Sequence, residues 1–311
     1  MQKTGQKFPL NREVRMMDIK KEIAEHTSQV ETIIKKYLPE ETGYQKTVME
    51  AMNYSFLAGG KRLRPMLMQE TYRLFGGDSD IIEPFMAAIE MIHTYSLIHD
   101  DLPAMDNDDY RRGRKTTHVV YGEAMGILAG DALLNFAFET ACKGLMQEIG
   151  NPAVARAVQI LAQKAGIYGM LGGQVVDVEF EGQPLEREKL DFIYDLKTGA
   201  LIEASMLIGA VLAGASEKEQ QIILQVAKDV GLAFQIQDDI LDVTSDLETL
   251  GKPIGSDEKN HKTTYVTIRG LAQAEKDVEE ISERALEGVA SLSEENVFLN
   301  ELIRYLIHRK K

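Results

Sequence analysis

The spacing of apolar residues constrains the fold of this chain more than any other feature. Apolar side chains recur every three to four residues almost throughout, and few segments alternate apolar and polar residues as strands do. One stretch with this spacing is Leu190, Ile193, Leu196, Leu201, Ala204 and Leu207. Only eight prolines interrupt 311 residues. We therefore predict an all-α protein, a single large bundle of about ten to thirteen helices around a central cavity.

Turn-forming residues divide this helical pattern without separating it into two domains. Breaks containing glycine or proline occur at 58–60, 103, 151–152, 181–184 and 250–253. Ser216 and Glu219 form a capping-box pattern just before a predicted helix at 221–240. No stretch has the composition of a domain linker, so we predict one domain at 16–311, preceded by a polar leader at 1–15.

Composition excludes several classes of protein. The net charge of −14 argues against a nucleic-acid partner, because nucleic-acid phosphates require a basic face. The single cysteine, Cys142, excludes an internal disulfide, and no 18-residue run is purely apolar. The first twenty residues mix acidic and basic side chains, unlike a secretory or transit signal. We expect a cytoplasmic protein with no membrane span.

A first aspartate cluster follows a predicted helix. The periodic segment 90–102 is terminated by Pro103, so Asp100 and Asp101 lie at the end of the helix and Asp106 lies just beyond it. Carboxylates beside buried apolar residues must be ion-paired or metal-bound, since an unpaired buried charge costs several kcal/mol. A hard divalent cation is a suitable partner.

A second aspartate cluster lies far along the chain. Asp238 and Asp242 are four residues apart and therefore project from one helix face, with Asp239 beside them. The two can share a cation. A solvated acidic helix face is the alternative for this cluster taken alone, although its apolar neighbours count against that interpretation.

Two basic clusters in this acidic protein indicate anion sites. Lys61 and Arg64 flank a helix start after a Gly-Gly turn, where backbone N–H groups add to their charge. Arg111 and Arg112 follow the first aspartate cluster. Magnesium bridges carboxylates to phosphates and guanidinium groups bind phosphate oxygens, so the combination predicts a metal-bound diphosphate. A solvated basic loop is the alternative for each cluster alone.

Two Glu-x-x-His pairs raise a competing hypothesis, a di-iron helical bundle. Glu90 and His93 lie on a predicted helix, whereas Glu258 and His261 lie in a polar segment without a buried stripe. The polar context of the second pair counts against iron.

Together these residues resemble the motifs of the trans-isoprenyl diphosphate synthase family, in particular its bacterial members that make farnesyl diphosphate. The resemblance covers roughly residues 57–265 and implies the isoprenoid synthase fold and a homodimer. Its motifs are Gly59 to Pro65, Glu90 to Gly113, Gly172-Gly173-Gln174, Lys197-Thr198-Gly199, Phe234 to Asp239 and Gly251-Lys252.

The resemblance implies a magnesium-dependent prenyltransferase that condenses isopentenyl diphosphate with dimethylallyl and geranyl diphosphate, forming farnesyl diphosphate and pyrophosphate. Three Mg²⁺ ions would be bound, directly or through water, by Asp100, Asp101, Asp106, Asp238, Asp239 and Asp242. The allylic diphosphate would be bound by Arg111, Lys197 and Lys252. The isopentenyl diphosphate would be bound by Lys61, Arg64, His93 and Arg112.

Other roles follow from the same resemblance. Thr198 and Gln235 would face the carbocation with their dipoles, and we expect Gly199 to break the helix and turn a carbonyl inward. Gln174 and Asp177 are expected to be supporting or structural residues. Taken alone, His93 could be an ordinary core histidine and Lys197 a solvated helix end.

Product length is assigned to the residues just before the first aspartates. Ser96 lies nearly beneath Asp100 on a helix, whereas Tyr95 is rotated from it by about 140°. The resemblance nevertheless selects Tyr95 as a floor of farnesyl length, because synthases of geranylgeranyl length tend to have a smaller residue there. An ordinary core aromatic is the alternative. A synthase of another chain length and a non-catalytic subunit of a heteromeric synthase remain alternative functions.

Overall fold

The computed structural model describes residues 18–244 and 263–307, and the described part is helical almost throughout. Its α-helices are α1 (Ile19–Lys35), α2 (Lys46–Phe56), α3 (Leu63–Leu74), α4 (Glu83–Asp100), α5 (Thr117–Tyr121), α6 (Glu123–Gln147), α7 (Pro152–Ala165), α8 (Met170–Glu179), α9 (Arg187–Ile193), α10 (Ala200–Leu212), α11 (Glu217–Thr244), α12 (Tyr265–Arg269), α13 (Leu271–Ala290) and α14 (Val297–Ile307). A 3₁₀ turn spans Asp80–Ile82 and a π-helical segment spans Tyr194–Gly199. The predicted all-α class is confirmed.

Two helices form the centre of the core. Every residue of α10 from Ala200 to Val211 is buried, and the helix packs against α3, α7 and α11. Helix α4 is buried along most of its length and packs mainly against α6 and α3. A helix that is apolar on all sides must be surrounded by protein or lipid. These two are surrounded by amphipathic helices of the same chain.

Segment 80–100, which contains α4, is long and apolar enough to cross a membrane, with a mean hydropathy of 1.2. In the structure, however, 78% of that window is buried inside the protein. We therefore interpret this segment as a core helix of the protein.

Helix boundaries agree with the sequence in part. Ser216 and Glu219 form the predicted capping box, with the Ser216 N–H and hydroxyl both donating to the Glu219 carboxylate at 2.7 Å, and α11 begins at Glu217. Helix α4 begins seven residues before the predicted Glu90, because Pro84 is tolerated in the first helical turn. The predicted leader at 1–15 lies outside the described residues.

Gly199 does not break its helix, so that expectation was wrong. The chain continues from α9 through the π-helical segment into α10, and Gly199 is buried with right-handed helical angles of φ −62° and ψ −40°. Helix α11 packs closely against this position, since a Cβ at Gly231 would lie 3.1 Å from the Gly199 Cα. The local irregularity is a π turn, a feature often found at functional sites.

The described strands form one small hairpin after the first aspartate cluster. Strands β1 (Tyr110–Arg111) and β2 (Arg114–Lys115) pair antiparallel, with Arg111 opposite Arg114. Both turn residues have positive φ, 54° at Arg112 and 74° at Gly113, as a two-residue type I′ turn requires. The turn therefore presents Arg112 at its tip.

Candidate active site

The first aspartate cluster lies at the end of α4. Asp100 is the last helical residue, and its carbonyl accepts a hydrogen bond from the Asp106 N–H at 2.8 Å, which folds the following loop back over the helix end. Asp101 is buried and accepts a hydrogen bond from Arg111 Nε at 2.5 Å. Burial raises the pKa of Asp101 to about 6 although the Arg111 charge opposes this. The structure thus brings the predicted acids and Arg111 together.

Helix α8 connects this cluster to Lys197. Gln174 donates a hydrogen bond to Asp100 Oδ1 at 2.8 Å, and three residues later Asp177 accepts one from Lys197 Nζ at 2.5 Å. Although burial works against its charge, the carboxylates of Asp177, Asp100 and Asp106 raise the pKa of Lys197. Lys197 is therefore a cation among acidic groups and not a solvated helix end.

Gly173 makes this connection possible. A Cβ at Gly173 would lie 2.3 Å from the Lys197 backbone nitrogen and 2.9 Å from the Leu196 carbonyl carbon. Only glycine lets α8 approach the π-helical segment this closely. Gln174 and Asp177 make the contacts expected of supporting residues, and their three-residue spacing puts both on one helix face.

Burial also raises the pKa of Asp100, and the nearby charges of Asp106 and Asp177 add to the effect while Lys197 opposes it. Carboxylates whose pKa values are raised by burial and by each other favour a cation among them. The electrostatics at the end of α4 are therefore those of a cation site.

A second charged group forms where the α2–α3 loop meets α4 and the hairpin. The Arg112 guanidinium donates to the Gly59 carbonyl. Arg64 Nε is buried without a hydrogen-bond partner among the described residues, and burial lowers the pKa of Arg64 to about 10. Burial and the charges of Arg64 and Arg112 also hold the pKa of His93 well below its ordinary value. The arginine charges around the neutral His93 ring favour an anion and would repel iron cations.

Arg62 is a structural arginine beside this group of basic residues. Its side chain is fully buried and donates to Glu90 Oε1 at 2.6 Å and to the Phe56 carbonyl at 2.7 Å. Glu90 is thus the partner of a structural arginine and is not available to iron. The second pair of the di-iron hypothesis, Glu258 and His261, lies outside the described residues.

Backbone strain is concentrated around the same groups. Among the described residues, the non-glycine residues with positive φ are Arg62, Asn107 and Arg112, at 50°, 53° and 54°. Such conformations cost energy and persist where the surrounding structure requires them, often at functional sites. All three lie in the loops that carry the predicted anion-binding and acidic residues.

The second aspartate cluster lies near the end of α11. Asp238 is exposed and Asp242 is partly buried, whereas Asp239 is buried. Asp239 Oδ2 accepts hydrogen bonds from the Tyr194 hydroxyl at 2.5 Å and from the Tyr265 N–H at 2.7 Å. The three carboxylates of the cluster therefore differ in burial, and the buried one, Asp239, accepts two hydrogen bonds from the protein.

The structure also describes three further predicted residues, Thr198, Gln235 and Lys61. Thr198 and Gln235 are partly buried, on the π-helical segment and on α11, which pack against each other. Lys61 is exposed just before α3, and its carbonyl accepts a hydrogen bond from Thr27 at 3.3 Å. The predicted Lys252 lies outside the described residues.

The residues assigned to product length lie one turn before Asp100. Tyr95 is buried, and its ring meets the His99 ring edge-on at 5.8 Å between centroids. Burial and the Asp100 charge raise the pKa of Tyr95 to about 12. Ser96 is partly buried, and its hydroxyl is bonded to the His93 carbonyl at 2.9 Å.

The described residues fit magnesium by the chemistry of their donors, which are carboxylate oxygens. Within 18–244 and 263–307, no three His, Cys, Asp or Glu side chains lie close enough together to hold a metal ion. Magnesium commonly takes one or two carboxylates and completes its octahedron with water and substrate phosphates. This arrangement of the carboxylates therefore fits a magnesium ion that is bound together with a diphosphate.

Comparisons with known proteins identify the family of this chain. Residues 45–302 match the model of the polyprenyl synthetase family. The chain is 45% identical over 258 residues to a farnesyl diphosphate synthase of Geobacillus stearothermophilus, covering 83% of this chain and 86% of that protein. It is 42% identical over 284 residues to a geranylgeranyl diphosphate synthase of Cyanophora paradoxa, covering 90% and 93%.

A solved structure gives the same result for the fold. The crystal structure of a geranyltransferase from Helicobacter pylori, complexed with magnesium and isoprenyl diphosphate, has a TM-score of 0.79 and 32% identity to this chain. The matched region covers 94% of this chain and 97% of the Helicobacter pylori chain. The helical fold is thus shared over nearly the full length, and the chain belongs to the polyprenyl synthetase family as a prenyl diphosphate synthase.

Proposed function

We propose that this prenyltransferase is a magnesium-dependent farnesyl diphosphate synthase, which adds isopentenyl diphosphate first to dimethylallyl and then to geranyl diphosphate. The main support is the arrangement of charge. Lys197 lies among Asp177, Asp100 and Asp106, and Tyr194 of the same π-helical segment is bonded to Asp239 of the second cluster. A separate arginine group lies where the α2–α3 loop, α4 and the hairpin meet, and its Arg64 Nε has no hydrogen-bond partner among the described residues. Two separate diphosphate sites are what a condensation of two diphosphates requires.

The allylic diphosphate is assigned to the carboxylate side of the site. Asp100, Asp101 and Asp106, with Asp238 and Asp242, would hold the magnesium ions. When bound, magnesium would neutralise the diphosphate and stabilise the charge that develops on the leaving group. Lys197 and Arg111 carry the positive charges that would bind its oxygens, and Lys252 remains a predicted third group.

Isopentenyl diphosphate is assigned to the arginine group. Arg64 and Arg112 supply guanidinium donors, and Lys61 supplies an ammonium group at the loop before α3. His93 stays neutral, so it can donate one hydrogen bond without adding charge. Arg64 Nε supports this assignment, because among the described residues it is a buried donor with no hydrogen-bond partner, which is costly unless a ligand satisfies it.

These residues suit a reaction in which the allylic C–O bond breaks and its electron pair leaves with pyrophosphate. The double bond of isopentenyl diphosphate then attacks the allylic carbocation and forms the new C–C bond. A proton is lost from the adduct, and the departing pyrophosphate is the proposed acceptor. Thr198 and Gln235 would direct oxygen dipoles at the cation.

Tyr95 supports a product of fifteen carbons. Its buried ring lies on the helix that ends in Asp100, one turn further from the charged groups, and His99 supports it edge-on. A relative that makes geranylgeranyl diphosphate is 42% identical, so the family alone leaves the product length open.

We also propose that the enzyme works as a cytoplasmic homodimer. Exposed large apolar side chains are frequent on α5, α6 and α8, and apolar surface of this kind marks interfaces. Examples are Val120, Ile127, Leu128, Leu171 and Val175. A single cysteine fits a reducing compartment.

The decisive experiment is product analysis. The purified protein is incubated with Mg²⁺, isopentenyl diphosphate and dimethylallyl diphosphate, and the dephosphorylated products are separated by chromatography. We expect farnesol as the main product and no product with EDTA. Geranylgeraniol as the main product would refute the farnesyl assignment but not the chemistry, and no product at all would favour a non-catalytic subunit.

A further inference from the structure

Asp239 is the buried aspartate of the second cluster, and its carboxylate is bonded to two groups of the protein. Its Oδ2 accepts two hydrogen bonds, from the Tyr194 hydroxyl at 2.5 Å and from the Tyr265 N–H at 2.7 Å. A carboxylate oxygen has about two lone pairs in its plane, so both positions on Oδ2 are taken. Asp239 is also buried, whereas Asp238 is exposed.

Helix geometry explains this difference. Asp242 is rotated only about 40° from Asp238, whereas Asp239 is rotated about 100° and so points to the side of the shared face. On that side lie Tyr194 of the π-helical segment and the first residue of α12. The Tyr265 N–H belongs to the first helical turn and has no partner within its own helix, so Asp239 satisfies it.

Tyr194 lies on the same π-helical segment as Lys197. Its hydroxyl is therefore a direct link between the segment that carries Lys197 and the helix that carries Asp238 and Asp242. The hydroxyl and the Tyr265 N–H also approach each other at 3.3 Å, so the three groups form one compact network. Such networks fix the orientation of the elements they join.

We propose that Tyr194 is a positioning residue for the second aspartate cluster. Its hydroxyl, with the Tyr265 N–H, holds Asp239 as a hydrogen-bond acceptor and not as a magnesium ligand, and so sets Asp238 and Asp242 relative to Lys197. The inference rests on the proposed magnesium-dependent function, which it refines by dividing the second cluster into two metal-binding aspartates and one anchoring aspartate.

Four variants test this division. Tyr194→Phe removes the hydroxyl and keeps the ring, and Asp239→Asn keeps one carbonyl oxygen that can accept both hydrogen bonds. Asp238→Asn alters an aspartate assigned to the metal. Tyr265→Phe is the matched control, because it removes the hydroxyl bonded to Asp277 at 2.7 Å and leaves the Tyr265 N–H to Asp239 in place.

Calorimetry of inorganic pyrophosphate binding with and without Mg²⁺ gives a readout that is independent of turnover. We expect Tyr194→Phe to weaken magnesium-dependent binding by about tenfold, the scale of a lost hydrogen bond to a charged group. The KM for dimethylallyl diphosphate should rise in parallel, while the KM for isopentenyl diphosphate stays the same. Tyr265→Phe should leave pyrophosphate binding as in the wild type.

The comparison of Asp238→Asn with Asp239→Asn is the most direct test of whether the two aspartates have different roles. We expect Asp238→Asn to lower turnover by about 10² or more and Asp239→Asn by less than about tenfold. Equal losses would overturn the inference, as would normal magnesium-dependent pyrophosphate binding by Tyr194→Phe. If thermal melts show that Tyr194→Phe is unfolded, the comparison of the asparagine variants still decides. A wild-type protein that binds no pyrophosphate with Mg²⁺ would instead refute the proposed metal chemistry.

Discussion

At the scale of single residues, neighbouring side chains in this site differ in their contacts, and the roles that we propose for them differ accordingly. Arg62 and Arg64 are two positions apart, and among the described residues the buried Nε atoms of both lack a hydrogen bond. Arg62, however, is ion-paired with Glu90 at 2.6 Å and with Glu31 at 3.4 Å. Asp238 and Asp239 are adjacent, yet one is exposed and the other is bonded to two protein donors. The contacts of each residue, and not its type, therefore separate binding from structural roles.

The two arginines should respond oppositely to substitution. Arg62→Met leaves Glu90 as an unpaired buried charge, so we expect a loss of about 3–5 kcal/mol in the free energy of unfolding. Arg64→Met removes no protein hydrogen bond from its Nε and should mainly raise the KM for isopentenyl diphosphate, by an amount equivalent to about 1.5–3 kcal/mol. Urea unfolding and steady-state kinetics measure the two effects. Similar profiles for both variants would contradict this separation.

Asp100 should be essential for turnover. Asp100→Ala removes a carboxylate from the proposed metal site, and we expect turnover to fall by about 10³, equivalent to about 4 kcal/mol of lost transition-state stabilisation. Asp109→Ala, at an exposed acid in the same loop, is the control and should stay near the wild type. The measurement is pyrophosphate release at saturating Mg²⁺. Turnover near normal in Asp100→Ala would exclude the metal role.

Tyr95 should determine where chain growth stops. If its ring closes the pocket for the growing chain, Tyr95→Ala should shift the main product from fifteen carbons to twenty or more. If the ring is only core packing, the same variant should keep the product and destabilise the fold by about 3–5 kcal/mol. Chromatography of dephosphorylated products beside a thermal melt separates the outcomes. An unchanged fifteen-carbon product would refute the floor assignment.

At the scale of helices, the site depends on how closely α8 approaches the π-helical segment. That approach sets Gln174 against Asp100 and Asp177 against Lys197, so one helix positions two charged groups from different parts of the chain. The nearest atoms are backbone atoms, which cannot move aside as a flexible side chain can.

Gly173→Ala tests this contact. The added methyl would lie 2.3 Å from the Lys197 backbone nitrogen, so α8 must move away. We expect a stability loss of about 1–3 kcal/mol, typical of overpacking, together with a clear loss of turnover. Glu179→Ala, at an exposed position on the same helix, should change neither. Denaturant unfolding and turnover are the measurements, and full activity in Gly173→Ala would show that the close approach is not needed.

At the scale of the whole molecule, two helices that are apolar on all sides are enclosed by the others, and the charged groups gather where these elements end. Helix α4 delivers Asp100 from the centre of the core, and α10 begins where the segment carrying Lys197 ends. A rigid core with charged groups at the ends of its helices suits a reaction in which two diphosphates must be held in a fixed relative orientation.

The proposed dimer is a property of this scale. We expect sedimentation velocity to give a particle of twice the 34.8 kDa chain mass. Because dilution favours the dissociated subunits, the melting temperature should rise with protein concentration. A monomer at all concentrations, with a constant melting temperature, would contradict the proposal.

The sequence by itself determined the helical class, the capped start of α11, and the identity of most charged residues in the site. These features depend on local periodicity, on short-range hydrogen bonds and on motifs that a family shares, all of which are visible along the chain. The four-residue spacing of Asp238 and Asp242 was also enough to state both hypotheses for this pair, a shared cation and a solvated acidic helix face.

Only the tertiary structure decided which of those residues touch. It paired Arg62 with Glu90, joined Gln174 to Asp100 across 74 positions, and bonded Asp239 to Tyr194 and Tyr265. It also showed that the chain passes through Gly199 as a π turn and that α11 packs against it. Such contacts depend on how closely two helix backbones approach, and that distance is set by packing between segments remote in sequence.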